Sequence, residues 1–249
     1  MNFERIFNDY CNLLDKHKEQ LYLFQFYPEN LNEVKKTLKS EENIYSYTFS
    51  TIRLVIPKSL RPNHSIPKNL GSVEIILSIK DEIKIKKTKK NFIEDPLNKL
   101  EKFNIILNCE NSHYTSSWHL DRHAKDGDGE LPSNLHPIYH LTFGGYHMEN
   151  LQREDSDEFG KSLILRAPRI MHPPMELLLG IDFIFNHFIP KNELELLSDP
   201  AYIFVIKELK KYFWLPFSLA IAKNYCERIS INNEPFSFDE LFVSSVLSC

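Results

Sequence analysis

Seven of the ten histidines lie between His113 and His172, and two short strings concentrate them: YTSSWHLDRH, ending at His123, and HPIYHLTF, from His136 to Phe143. Neutral imidazole and carboxylate are the common ligands of zinc, manganese and iron, and imidazole also moves protons near neutral pH. If each string is a β-strand, alternate side chains share a face. His119, Asp121 and His123 then project together from the first strand, and His136 and His140 from the second. Neighbouring ligands along one strand stand about 7 Å apart at the backbone. Three from one strand cannot converge on an ion, whereas two of them with His136 or His140 can. The candidate metal set is therefore His119, Asp121, His123, His136 and His140, for a divalent ion such as zinc or manganese. Without a metal, His119 or His140 oriented by Asp121 serves as a general base, which makes these three the candidate catalytic residues. The plain alternative is a polar sheet face whose histidines bond to their neighbours.

A second group, Arg166, Arg169 and His172, falls between an apolar string, LILRA, and the segment HPPMELLLGIDFIF. A helix starting near Pro174 would bring these residues to its N-terminus, where free amides and the helix dipole favour a phosphate. The competing account is a rigid proline turn whose arginines pair with the acidic loop holding Glu154, Asp155, Asp157 and Glu158. Weaker signals have simpler explanations. Cys109 is in phase with Phe103, Ile105 and Leu107, as a buried inert thiol would be. The loop KDGDGE lacks the full ligand pattern of a calcium loop and reads as an exposed turn. Gly144 and Gly145 also read as a turn.

Trp118 and Leu120, with Tyr139, Leu141 and Phe143, fall on the opposite faces of the same two strands and are expected to anchor them in a core. Around this pair, Phe3, Ile6, Phe7, Tyr10, Leu13 and Leu14 recur at helical spacing and predict a helix from residue 3 to about 20. A short helix is expected over Leu31 to Leu38. Strands are expected over Tyr47 to Ile56, Val73 to Ile79, Ile83 to Ile85 and Phe103 to Cys109. The lysines from Lys80 to Lys90 fit a solvated edge or hairpin tip. Helices over Pro174 to Phe188, Tyr202 to Phe213 and Phe217 to Arg228 complete the chain, the last two separated at Pro216. The expected fold is one α+β domain over 1–249, a mainly antiparallel sheet flanked by N-terminal and C-terminal helices, with 190–249 as the only candidate helical subdomain.

Composition narrows the function classes. A net charge of -4 over 249 residues gives no general basic coat for binding nucleic acid. The four cysteines are scattered and form no CxxC pair, which fits reduced thiols. The first residues lack the pattern of a signal peptide, and the apolar stretches fall short of the roughly 20 residues needed to span a bilayer. A cytoplasmic protein with no membrane partner is the expectation.

The strings WHLDRH, HPIYHLTFGG and PRIMHPPMELLLGIDFIFNHF, spanning roughly residues 114–188, resemble those of a bacterial domain family of unknown function whose members sit beside toxin or phage-defence genes. The resemblance implies a defence context and brings no catalytic residues with it. Two functional readings follow. One is an accessory or regulatory subunit that binds a larger protein of the same operon. The other is a metal-dependent phosphodiesterase or nuclease effector that uses the His/Asp cluster on nucleic acid, with Arg166 or Arg169 holding phosphate.

Overall fold

A computed structural model describes residues 2–60, 71–80, 82–87, 95–100, 102–109, 115–122, 139–144, 148 and 170–226. Helix α1 (Phe3–Lys16) starts where the Asn2 side chain accepts the Arg5 N–H, and of the apolar face read from its spacing it buries Phe3, Ile6, Phe7, Tyr10 and Leu14; Leu13 is half-buried, and Cys11 joins the buried side. The helix expected to run to residue 20 instead breaks at His17. A short α2 (Lys18–Tyr22) follows, and the His17 ring bonds to Asp199, 182 residues away. Helix α3 (Glu29–Thr37) covers the second expected helix and buries Leu31 and Val34.

Two antiparallel sheets follow. The smaller joins β1 (Lys39–Ser40), β2 (Ile44–Thr48), β5 (Glu82–Lys86) and β6 (Leu97–Lys99), in that order. The larger runs in the order β10 (Ile170–Met171), β9 (Tyr139–Phe143), β8 (Thr115–Arg122), β7 (Lys102–Cys109), β4 (Val73–Lys80), β3 (Thr51–Ile56). The stretch expected to form one strand from Tyr47 to Ile56 is therefore two strands in different sheets. The same crossing occurs between β4 and β5 and between β6 and β7. Three consecutive strand pairs thus place their two members in different sheets, a change of partner that local sequence pattern does not mark.

Register aligns apolar rows across the larger sheet. One row holds Ile52, Leu77, Ile105, Trp118 and Phe143; the next holds Ile79, Phe103, Leu120, Leu141 and Ile170. The helices pack over this face. Helix α4 (Leu177–Phe188) starts three residues later than the proline pattern suggests, because Glu176 is its cap: the carboxylate accepts the Leu178 and Leu179 N–H groups. It is apolar around most of its circumference and buries nine residues.

Helix α5 (Pro200–Cys226) corrects the expected break at Pro216, since it continues through that residue. Proline removes one helical hydrogen bond, and here side chains on both sides hold the helix in place. Phe213 is fully buried, the Trp214 indole donates to the Pro174 carbonyl at 3.0 Å, and Phe217 meets the Tyr139 ring edge-on. Buried residues of α5, from Tyr202 to Phe213, belong to the same apolar cluster as those of α1 and the sheets. The fold is α+β, with N-terminal and C-terminal helices flanking the sheets.

Candidate functional site

Strands β8 and β9 pair as the alternation of their residues requires. Asp121 stands directly opposite His140, and Trp118 opposite Phe143. The polar face of this pair brings two imidazoles to one carboxylate oxygen: Oδ2 of Asp121 lies 3.1 Å from Nε2 of His119 and 3.5 Å from Nε2 of His140. The three differ in access. The His140 side chain is 0% exposed, whereas His119 and Asp121 keep 18% and 23%. His119 and Asp121 can meet a dissolved ligand; His140 faces the same carboxylate oxygen from a position closed to solvent. Such a carboxylate can orient His119 for proton transfer.

His123 and His136 lie outside the described residues. Among the described residues, no group of three His, Cys, Asp or Glu side chains is placed to hold a metal ion. His119, Asp121 and His140 alone therefore do not make a metal centre.

The corner expected to hold phosphate is built differently from the expectation. The Leu178 and Leu179 amides at the start of α4 are taken by Glu176, each at 3.0 Å. A carboxylate already fills the position an anion would take. Tyr47 completes the arrangement by donating its hydroxyl to Glu176 at 2.8 Å. Burial pushes the Glu176 carboxyl up to about 7, against the pull of these hydrogen bonds. The His172 ring is bonded through Nδ1 to the Pro173 carbonyl, and burial lowers its proton affinity. Arg166 and Arg169 lie outside the described residues, as do LILRA, KDGDGE and the acidic loop.

Sequence reasoning missed Glu176, although an acid just before an apolar helical run is a capping signal. It also missed a cluster on the apolar side of β8. Arg122 is in phase with Trp118 and Leu120, and its guanidinium bonds Asp95 at 2.8 and 3.0 Å and the Tyr139 hydroxyl at 3.1 Å. Tyr139 in turn donates to Asp95, and burial beside that carboxylate raises the phenol's pKa. A lone arginine on an otherwise apolar strand face was the readable sign, because a half-buried guanidinium needs an acid.

On that face exposure rises toward β10 among the described residues. Along one apolar row, Ile79, Phe103 and Leu120 are buried, Leu141 is half-buried and Ile170 is 63% exposed. Along the other, Ile52, Leu77 and Ile105 are buried, Trp118 is half-buried and Phe143 is 51% exposed. The Trp118 and Phe143 rings lie 5.5 Å apart, and Trp118 also borders Phe188 at the end of α4.

Fold and site together define an α+β protein whose larger sheet carries a His/Asp row on one face and, among the described residues, exposed Phe143 and Ile170 at the end of the other. Comparison with known proteins adds no relative: no family model, curated protein or solved structure matches the chain. No helix among the described residues is long and apolar enough to cross a membrane.

Proposed function

We propose that this chain is an accessory or regulatory subunit of a bacterial anti-phage or toxin-type defence system, docking a larger partner protein. The observation that carries the binding reading is the gradient of exposure along the two apolar rows, which ends in Phe143 and Ile170 on the open side of the sheet. Contiguous aromatic and aliphatic surface of this kind is the usual material of an interface centre. The defence setting rests on the resemblance of the strings between residues 114 and 188. The test is a photo-reactive benzoylphenylalanine at position 143 of the full chain, irradiated in cells of its own host. A light-dependent adduct of one defined mass, lost when Ile170→Asp is added, is the expected result. A folded protein that gives no adduct from position 143 overturns the reading.

A second reading rests on a separate observation, the two imidazoles facing one Asp121 oxygen. In it the chain is a metal-dependent phosphodiesterase or nuclease effector. His123 or His136 would join His119, Asp121 and His140 around zinc or manganese, and the ion would polarise a phosphoryl oxygen or acidify a bound water. Metal content and hydrolysis of bis(p-nitrophenyl) phosphate, compared between wild type and His119→Ala, decide it. Wild-type protein that holds no metal and hydrolyses nothing removes this reading.

A further inference from the structure

Lysines whose sequence pattern fits a hairpin tip or an edge stand inside a sheet. Strand β5, which carries Lys84 and Lys86, has β2 on one side and β6 on the other. Its alternate residues Ile83 and Ile85 are buried, and their partners Tyr47, Tyr45 and Leu97 are buried with them. Lys84 and Lys86 therefore share the opposite face of the smaller sheet. Edge protection accounts for lysines on β1 and β6 but not on the strand between β2 and β6.

Register brings further lysines to this face. Lys39 of β1 stands opposite Ser46 of β2, Ser46 opposite Lys84, and Lys84 opposite Lys99 of β6, so one row crosses all four strands. Lys86, opposite Ile44, falls in the neighbouring row. Strands about 4.8 Å apart put Lys39 about 14 Å from Lys99 at the backbone. Two lysines directly opposite on a sheet repel each other, so Lys84 and Lys99 weaken the pairing that joins their strands. Glu82 is the one acid among the described strand residues of this face, and it meets Lys84 at 3.2 Å. Lys86 and Lys99 are also engaged within the chain. Ion pairs at a surface are held weakly, and a phosphate can replace them.

We infer that this face binds the phosphate backbone of a nucleic-acid duplex. About 14 Å is the axial length of about four base pairs, and lysine meets a phosphate as a point charge without reading a base. Single strands are held largely by rings on which their bases stack, and no aromatic side chain shares this face among the described strand residues. A duplex presents phosphates alone. The face belongs to the smaller sheet, whereas Phe143, Ile170 and the His/Asp row belong to the larger one, so its failure leaves both readings above untouched, and the reverse holds.

The test is fluorescence anisotropy of a labelled DNA duplex of about 20 base pairs with the full chain, between about 50 and 200 mM salt. Contacts from four lysines predict a slope of log affinity against log salt of about -3 to -4. Lys84→Gln and Lys99→Gln are each expected to weaken binding to every duplex sequence alike and to make the slope shallower by about 1. Lys99→Glu sets an acid opposite Lys84; its thermal midpoint is expected to hold or rise while affinity falls about tenfold or more. If that variant does not fold, the two glutamine variants decide alone. Lys207→Gln, exposed on α5, is expected to stay within about twofold of wild type. The inference fails if the wild-type chain leaves the duplex free at about 50 mM salt, if the glutamine variants keep the wild-type slope, or if Lys207→Gln loses as much as Lys84→Gln. It also fails if phosphatidylglycerol vesicles hold the chain and the duplex does not.

Discussion

Gly180 of α4 stands over the ring of Phe103 in β7 so closely that a Cβ placed on it would lie 2.2 Å from Phe103 Cζ. No non-bonded carbon pair tolerates that distance, so a hydrogen at position 180 sets how near the central helix comes to the sheet. Phe103 is fully buried and belongs to the apolar row that leads through Leu120 to Leu141. Gly180→Ala gains roughly 1 kcal/mol of helix propensity but overpacks the core. The expected net result is a loss of about 1–3 kcal/mol in urea unfolding. Phe103→Leu, which removes the offending ring, should make the Ala substitution much less harmful when the two are combined. An Ala variant as stable as wild type would show that the ring is free to move.

Glu176 should make stability fall as pH rises through neutrality. Its carboxyl is shifted from the ordinary 4.5 to about 7 in the folded chain, chiefly by burial. Between those values the folded state binds more protons than the unfolded state. The contribution is fully present below about pH 4.5 and is lost as pH rises through 7, at most about 1.4 kcal/mol per pH unit. Glu176→Gln keeps an acceptor for the helix amides and cannot titrate. Its unfolding free energy, subtracted from that of wild type between pH 5 and 8, should change in this direction; a flat difference would place the titration elsewhere.

Asp199 should act with the opposite sign. Lys16 and His17, at 2.7 and 3.1 Å, hold its carboxyl well below the usual carboxylate range. The stabilisation is present above the unfolded value of 3.8 and fades as pH falls below it. Asp199→Ala also removes the acceptor for the Ala201 N–H at the start of α5. A lowered thermal midpoint at pH 7 is expected, with the gap to wild type closing under acid. A gap that persists unchanged at pH 3 would contradict the ion-pair account.

Removing Asp121 should be felt at His140 more than at His119. Both rings face its Oδ2, but the His140 side chain has no exposed surface, and water cannot replace the carboxylate there as readily as at His119. Asp121→Ala is expected to cost about 1–3 kcal/mol. Imidazole proton spectra should show the larger chemical-shift change at His140. Equal changes at both rings would mean that the burial difference has no bearing on the site.

Much of this protein was written locally. A period of two between Trp118 and Arg122, and again between Tyr139 and Phe143, was enough to put Asp121 and His140 on one face and Leu120 and Leu141 on the other, because extended backbone alternates its side chains regardless of context. Helical spacing likewise gave the buried face of α1. What sequence could not supply depends on partners far along the chain. Tyr47 meets Glu176 across 129 residues, and His17, where the first helix ends, bonds an aspartate 182 residues on. Side chains packed on either side of Pro216 decided that α5 continues, and pairing partners decided that β2 and β3 belong to different sheets. Exposure belongs to the same class. That His140 is sealed while Phe143, three residues away, faces solvent follows from what the rest of the molecule covers, a property no repeat in the strand itself encodes.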